Sequence, residues 1–149
     1  MGKLTDIYND LLEHNVFLAS GSYHLSGECD SIVARTGDRY GIFLDIDKIR
    51  TFSQELEAVS HEWAHIKTAS TYTFDTPPDV VARLENRADK VQIRRIIPQD
   101  ELNAAIADGF TEPWELADRF DVSEQLMRRA MFYYNNGYLC SVAKSCLTL

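Results

Sequence analysis

The chain has 149 residues, the size of one domain with a real core, and its 45% hydrophobic and 26% charged residues are those of an ordinary globular protein. It contains no apolar run of about eighteen residues to span a membrane, and its opening, MGKLTDIYND, lacks the apolar stretch of a secretion signal. A formal charge of −8 argues against nucleic acid as a partner, because affinity for phosphates comes largely from Lys and Arg.

Leu4, Ile7, Tyr8, Leu11 and Leu12 give a first helix one apolar face, and the pattern fails near His14 and Asn15. Residues 16–29 read as turn-rich. His24 lies there with no partner at helical spacing, which predicts a surface position or one behind the ligands of a site. Cys29, Cys140 and Cys146 are an odd count without C-x-x-C spacing, so reduced thiols in the cytoplasm are expected, with Cys29 a small buried or partly exposed thiol rather than a metal ligand. Ser31 to Arg35 and Tyr40 to Asp45 are β-type runs joined by Thr36-Gly37-Asp38-Arg39, a hairpin signal that predicts a small antiparallel sheet. If Tyr40 to Leu44 forms the edge of that sheet, its unpaired backbone can hold an extended peptide as an added strand; the alternative is that another strand covers it.

The stretch Thr51 to Ser70 carries the chemistry. Phe52, Leu56, Val59, Trp63 and Ile66 recur at steps of four and three, one face of a helix, and Thr51 with Gln54 makes a capping box at its start. His61 and His65 fall one turn apart on the opposite side, so two imidazoles can reach one metal ion, and both faces of the helix must be covered. Glu62 then points to the flank of the ion, where it can take a proton from a water without ligating the metal. With four histidines and ten glutamates in the chain, an accidental H-E-x-x-H arises in roughly 0.007 of such chains, which makes the motif worth pursuing.

A third ligand is available downstream. Thr76 with Asp79 reads as a second capping box, Pro77 suits the first helical position and Pro98 closes the segment, so a long helix is expected over Thr76 to Ile97. Glu85 sits in its middle, nineteen intervening residues after His65, and Asp89 one turn later on the same face. Glu85 would complete a His-His-Glu set for Zn2+ with the fourth position left to water, and Asp89 would fix the tautomer of one histidine. The alternative for both acids is a solvated face pairing with Arg83, Arg87 and Lys90. Tyr72, in the loop between the helices, is a candidate donor to the oxyanion of a tetrahedral intermediate, or else an amphipathic cover.

The segment His61-Glu62-Trp63-Ala64-His65, then Glu85-Asn86-Arg87-Ala88-Asp89 and a helix ending in Ile96-Ile97-Pro98, resembles the ImmA/IrrE family of metallopeptidases of phages, prophages and integrative elements. More distantly it resembles the gluzincins. The likeness runs from about Ser31 to Tyr134. It implies zinc held by His61, His65 and Glu85, Glu62 as general base, and a protein substrate, often a helix-turn-helix repressor encoded nearby. The second helix departs from the family's common form at Arg87 and at Lys90-Val91-Gln92, changes that bear on packing more than on the metal.

After Pro98, the segment to Gly109 reads as a helix with a glycine stop. Trp114 to Met131 fits two helices with a tight turn at Asp121 to Ser123, like a helix-turn-helix. Residues 112–149 hold five acids against four bases, and only Arg128 and Arg129 are well placed to read DNA, so a packing role is expected. Asn135-Asn136-Gly137 breaks the last helix.

The expected protein is α+β: a core of about 1–98 with sheet and metal site, helices over 99–135 and a tail over 136–149, acting as a zinc endopeptidase. A non-enzymatic regulator or DNA-binding module with a structural or vestigial metal site is the alternative, and Glu62 weighs against it because a structural zinc needs no general base. A hydrolase of small amides would use the same site.

Overall fold

A computed structural model describes residues 2–139 and places three strands and six helices among them. Helix α1 (Lys3–Glu13) buries Leu4, Ile7 and Leu11 and ends where Asn15 turns to positive φ. Strands β1 (Phe17–Gly21), β2 (Ser31–Thr36) and β3 (Arg39–Asp45) form one sheet in the order β1-β3-β2. The β2–β3 hairpin is antiparallel as expected, pairing Ser31 with Leu44 and Val33 with Ile42, and Gly37 at its tip takes φ +63°.

The sheet is mixed rather than wholly antiparallel. β1 lies in the segment read as turn-rich and pairs parallel to β3, Phe17 with Gly41 through to Gly21 with Asp45. Its alternation is weak because both its faces are open: Phe17 is 61% and Leu18 37% exposed. The strand is created by pairing with a distant partner, which local pattern does not record. It covers the edge at Tyr40 to Leu44, the alternative the sequence left open, so β3 is central and β2 is the edge strand on the helix side among the described residues.

Helix α2 (Phe52–Lys67) begins with the expected Thr51–Gln54 capping box, both of its hydrogen bonds present. It packs on β2, β3, α1 and helix α3 (Pro78–Ile96). Leu56, Val59, Trp63 and Ala64 fill the core, whereas Phe52 is 51% exposed at the helix start and drops out of the expected stripe. Each fully buried aliphatic side chain of this core, such as Ile7, Ile42, Leu56 and Ile93, contributes about 1.5–3 kcal/mol. The Thr76–Asp79 capping box does not form. Pro77 is the N-cap, Pro78 opens the helix, and the Thr76 hydroxyl instead accepts from the Thr73 amide, closing a turn ahead of the helix.

Gln92 of α3 donates to the Glu57 carbonyl (2.8 Å) and to Ser60 Oγ (2.9 Å) on α2. Gln92 thus sits at the seam that fixes α2 and α3 against each other. Helices α4 (Gln99–Ala107), α5 (Pro113–Phe120) and α6 (Glu124–Asn136) follow, with Gly109 after α4 and Gly137 after α6 at positive φ. The tight turn between α5 and α6 is built on left-handed Asp121 and on Ser123, whose hydroxyl caps the Leu126 amide. Glu57 accepts the Ser123 amide, so the start of α6 is fastened to α2. Residues 140–149 of the expected tail lie outside the described residues.

Candidate metal centre

Helix α2 delivers His61, Glu62 and His65, and α3 delivers Glu85 and Asp89, because the two helices cross where both carry polar residues inward. The solvated-face alternative for the two acids fails on burial: Glu85 is 5% and Asp89 6% exposed, while Arg83 pairs with Asp79. His61 Nε2 lies 3.1 Å from His65 Nε2 and 3.3 Å from Glu85 Oε2, and His65 Nε2 lies 3.2 Å from Glu85 Oε1. The two Glu85 distances run to different carboxylate oxygens; with one ligand atom taken from each residue, the three lie within 4.8 Å of one another, close enough to share one metal ion. Glu85 Oε2 is buried, and its polar neighbour is His61 Nε2 at 3.3 Å, too poorly placed for a good hydrogen bond, so a cation would complete its partners. Two imidazoles and a carboxylate are a donor set of the kind that holds a metal ion, and among the described residues they converge at His61, His65 and Glu85.

The outer partners of these ligands are equally defined. His65 Nδ1 stands 3.0 Å from both the carbonyl and the hydroxyl of Ser70, where α2 has just ended in left-handed Ala69. An Nδ1–H given to that carbonyl leaves Nε2 free as a ligand. His61 Nδ1 faces Asp89 Oδ1 at 3.4 Å, and the other Asp89 oxygen accepts from Arg129 Nη2 of α6 at 2.6 Å. Tyr72 is 4% exposed and donates its hydroxyl to Glu85 Oε1 at 2.5 Å. The tyrosine hydroxyl therefore faces the Glu85 carboxylate. Glu62, 2% exposed, accepts a 2.8 Å hydrogen bond from Ser31 Oγ at the start of β2.

Charge balance follows from these contacts. Burial alone would hold Glu85 neutral, yet hydrogen bonds and charge from His61 and His65 keep its carboxyl well below the usual range. Burial likewise disfavours a charged His61, and Asp89 and Glu85 together outweigh it and raise the imidazole well above its ordinary value. Burial raises Glu62, against the lowering effect of both histidines and Ser31. Burial and the Glu85 carboxylate push Tyr72 far above the phenol range, so it acts here as a donor and not as a phenolate.

A groove opens from this cluster, lined by Asp30 and Ser31 from the sheet side, His61 and Glu62 from α2, Asp89 from α3 and Arg129 from α6. The loop that carries its rim is pinned by Asp45, which accepts the Leu25 and Asp47 amides, and by Lys48 Nζ, which donates to the carbonyls of Leu25, Gly27 and Cys29. His24 lies outside the site, exposed and 3.8 Å from Asp47. Cys29 is buried and disulfide-bonded, so the expectation of reduced thiols does not hold there; Cys140 and Cys146 lie outside the described residues. Among those residues no helix is long and apolar enough to cross a membrane.

Sequence reasoning missed Ser31, Ser70 and Arg129. Ser70 lies five residues from His65 and was open to inspection; the other two reach the site only through strand order and helix packing. No protein-family model matches the chain, and no curated protein or solved structure matches it.

Proposed function

We propose that this chain is a zinc-dependent endopeptidase. The observation that carries the reading is the largely buried His61–His65–Glu85 cluster, its ligand atoms close enough to share one ion, with a buried, independently held carboxylate, Glu62, on its flank. His61, His65 and Glu85 would hold the ion, which when bound supplies Lewis acidity toward the scissile carbonyl and the attacking water. Glu62 takes the proton of that water and passes it to the leaving amine nitrogen. Ser31 keeps one Glu62 oxygen engaged, which leaves the other to face the reacting water. Among the described residues no strand pairs with the outer edge of β2, which runs from Ser31 at the groove, so an extended peptide would add there as a strand with main-chain pairing setting its register.

The resemblance to the ImmA/IrrE family supports a protein substrate of the helix-turn-helix repressor kind. The helix pair α5–α6 favours a packing role over DNA reading, since Arg128 is paired with Glu124 and Arg129 is turned inward onto Asp89.

The test is cleavage of a repressor encoded beside this chain, or of a mixed peptide library, by zinc-loaded wild type and Glu62→Gln. The amide keeps the shape and cannot accept the proton. A loss of roughly a hundred- to ten-thousand-fold at equal zinc content is expected, and equal rates would end the general-base assignment.

A further inference from the structure

We propose that Arg129, from the helical C-terminal part, is a positioning residue of the metal centre, and that α6 is therefore built into the site rather than laid over it. This rests on the zinc reading above. The contacts form one line: Arg129 Nη2 donates to Asp89 Oδ2 at 2.6 Å, Asp89 Oδ1 faces His61 Nδ1 at 3.4 Å, and His61 Nε2 points to Glu85 and His65. A carboxylate with two free rotamers holds an imidazole poorly. With one oxygen fixed by a guanidinium, the other is aimed, and the His61 ring keeps both its tautomer and its plane.

The cost of the arrangement argues that it serves the site. The Arg129 side chain is 18% exposed and that of Asp89 9%, and Arg129 Nε is buried without a hydrogen-bond partner. A buried ion pair contributes little to stability against apolar residues of the same volume, and an unsatisfied buried N–H subtracts from it. Arg128, the neighbour, spends its charge on an exposed pair with Glu124 one turn away, which is what an arginine on a plain packing helix does. Arg129 instead crosses to a residue forty positions earlier. Its own helix is fastened to α2 through Ser123 and Glu57, so the donor end of the line is anchored on the helix that carries His61.

The experiment uses the full chain and the metal alone. Zinc affinity is measured by chelator competition at neutral pH for wild type, Arg129→Ala, Arg129→Lys, Asp89→Ala and the Arg129→Ala/Asp89→Ala double variant, with the visible spectrum of the cobalt(II) form as a second readout. Arg129→Ala should weaken zinc by roughly tenfold or more, as loss of an outer partner does. Arg129→Lys should recover part of that loss. The double variant should bind no worse than Asp89→Ala, because both substitutions cut the same line, and the cobalt bands should shift in Arg129→Ala. Unchanged affinity and spectrum in Arg129→Ala, or losses that simply add in the double variant, would overturn the proposal. Should Arg129→Ala fail to fold, the lysine variant and the cobalt spectrum decide it. Wild type that binds no zinc would instead defeat the zinc reading on which the proposal stands.

Discussion

Replacing Ser31 with alanine removes a single hydroxyl and isolates what holds the proposed base. Ser31 and Glu62 are each 2% exposed and joined at 2.8 Å, so the substitution leaves a buried carboxylate oxygen without its donor. An unsatisfied buried acceptor costs about 1–3 kcal/mol, which at ~1.36 kcal/mol per tenfold is a factor of roughly 5 to 150 in rate if the loss falls on the transition state. A water entering the vacated space sets the low end. The direction in pH is also fixed. Burial raises Glu62 and the Ser31 hydrogen bond lowers it; the base works only when ionised, so activity is lost as pH falls through its pKa. Losing Ser31 removes a lowering influence and moves the acid limb of kcat/KM to higher pH. The assay is steady-state cleavage across pH by zinc-loaded wild type, Ser31→Ala and Ser31→Thr at matched zinc content, threonine restoring the hydroxyl. An unshifted acid limb with a rate within twofold of wild type would refute the idea that Ser31 sets the state of Glu62.

Three further outcomes are expected. Asp45 is fully buried and its carboxyl is held below the usual range by the Leu25 and Asp47 amides, so it contributes stability that is present above about pH 4 and lost as pH falls through its folded value. Thermal unfolding should therefore decline more steeply on acidification in wild type than in Asp45→Asn, and parallel curves would count against it. Tyr72→Phe should keep the fold and weaken zinc by less than Glu85→Ala does, because it removes a donor to the ligand and not the ligand; equal losses by chelator competition would contradict that. The full chain should show no salt-dependent binding to duplex DNA in a titration, given its charge of −8 and the pairing of Arg128 and Arg129; affinity that falls steeply with added salt would favour a DNA-binding regulator.

The parts of the fold legible in the sequence are those encoded within a few residues. The Thr51 capping box, the glycine stops after α4 and α6, the Asp121 turn and the β2–β3 hairpin each depend on residues that touch their own neighbours. The members of the candidate cluster were legible for the same reason, since His61 and His65 share a turn and Glu85 and Asp89 share another. What pattern alone did not carry was long-range. β1 gains its strand form from β3, more than twenty residues away, and shows no buried face to mark it. Ser31 and Arg129 are ordinary polar residues whose meaning comes from which helix they are brought against. Thr76 misled because its hydroxyl had a nearer competitor, the Thr73 amide, and a turn closed before the helix began.

The most direct measurement of the central claim is the zinc content of the full chain purified at neutral pH, set beside folded His61→Ala and Glu85→Ala. About one zinc per chain in wild type and almost none in either variant is expected, because a site reduced to two protein ligands no longer holds the ion against exchange. Wild type that stays metal-free in the presence of zinc, or variants that keep a full complement of it, would contradict the account.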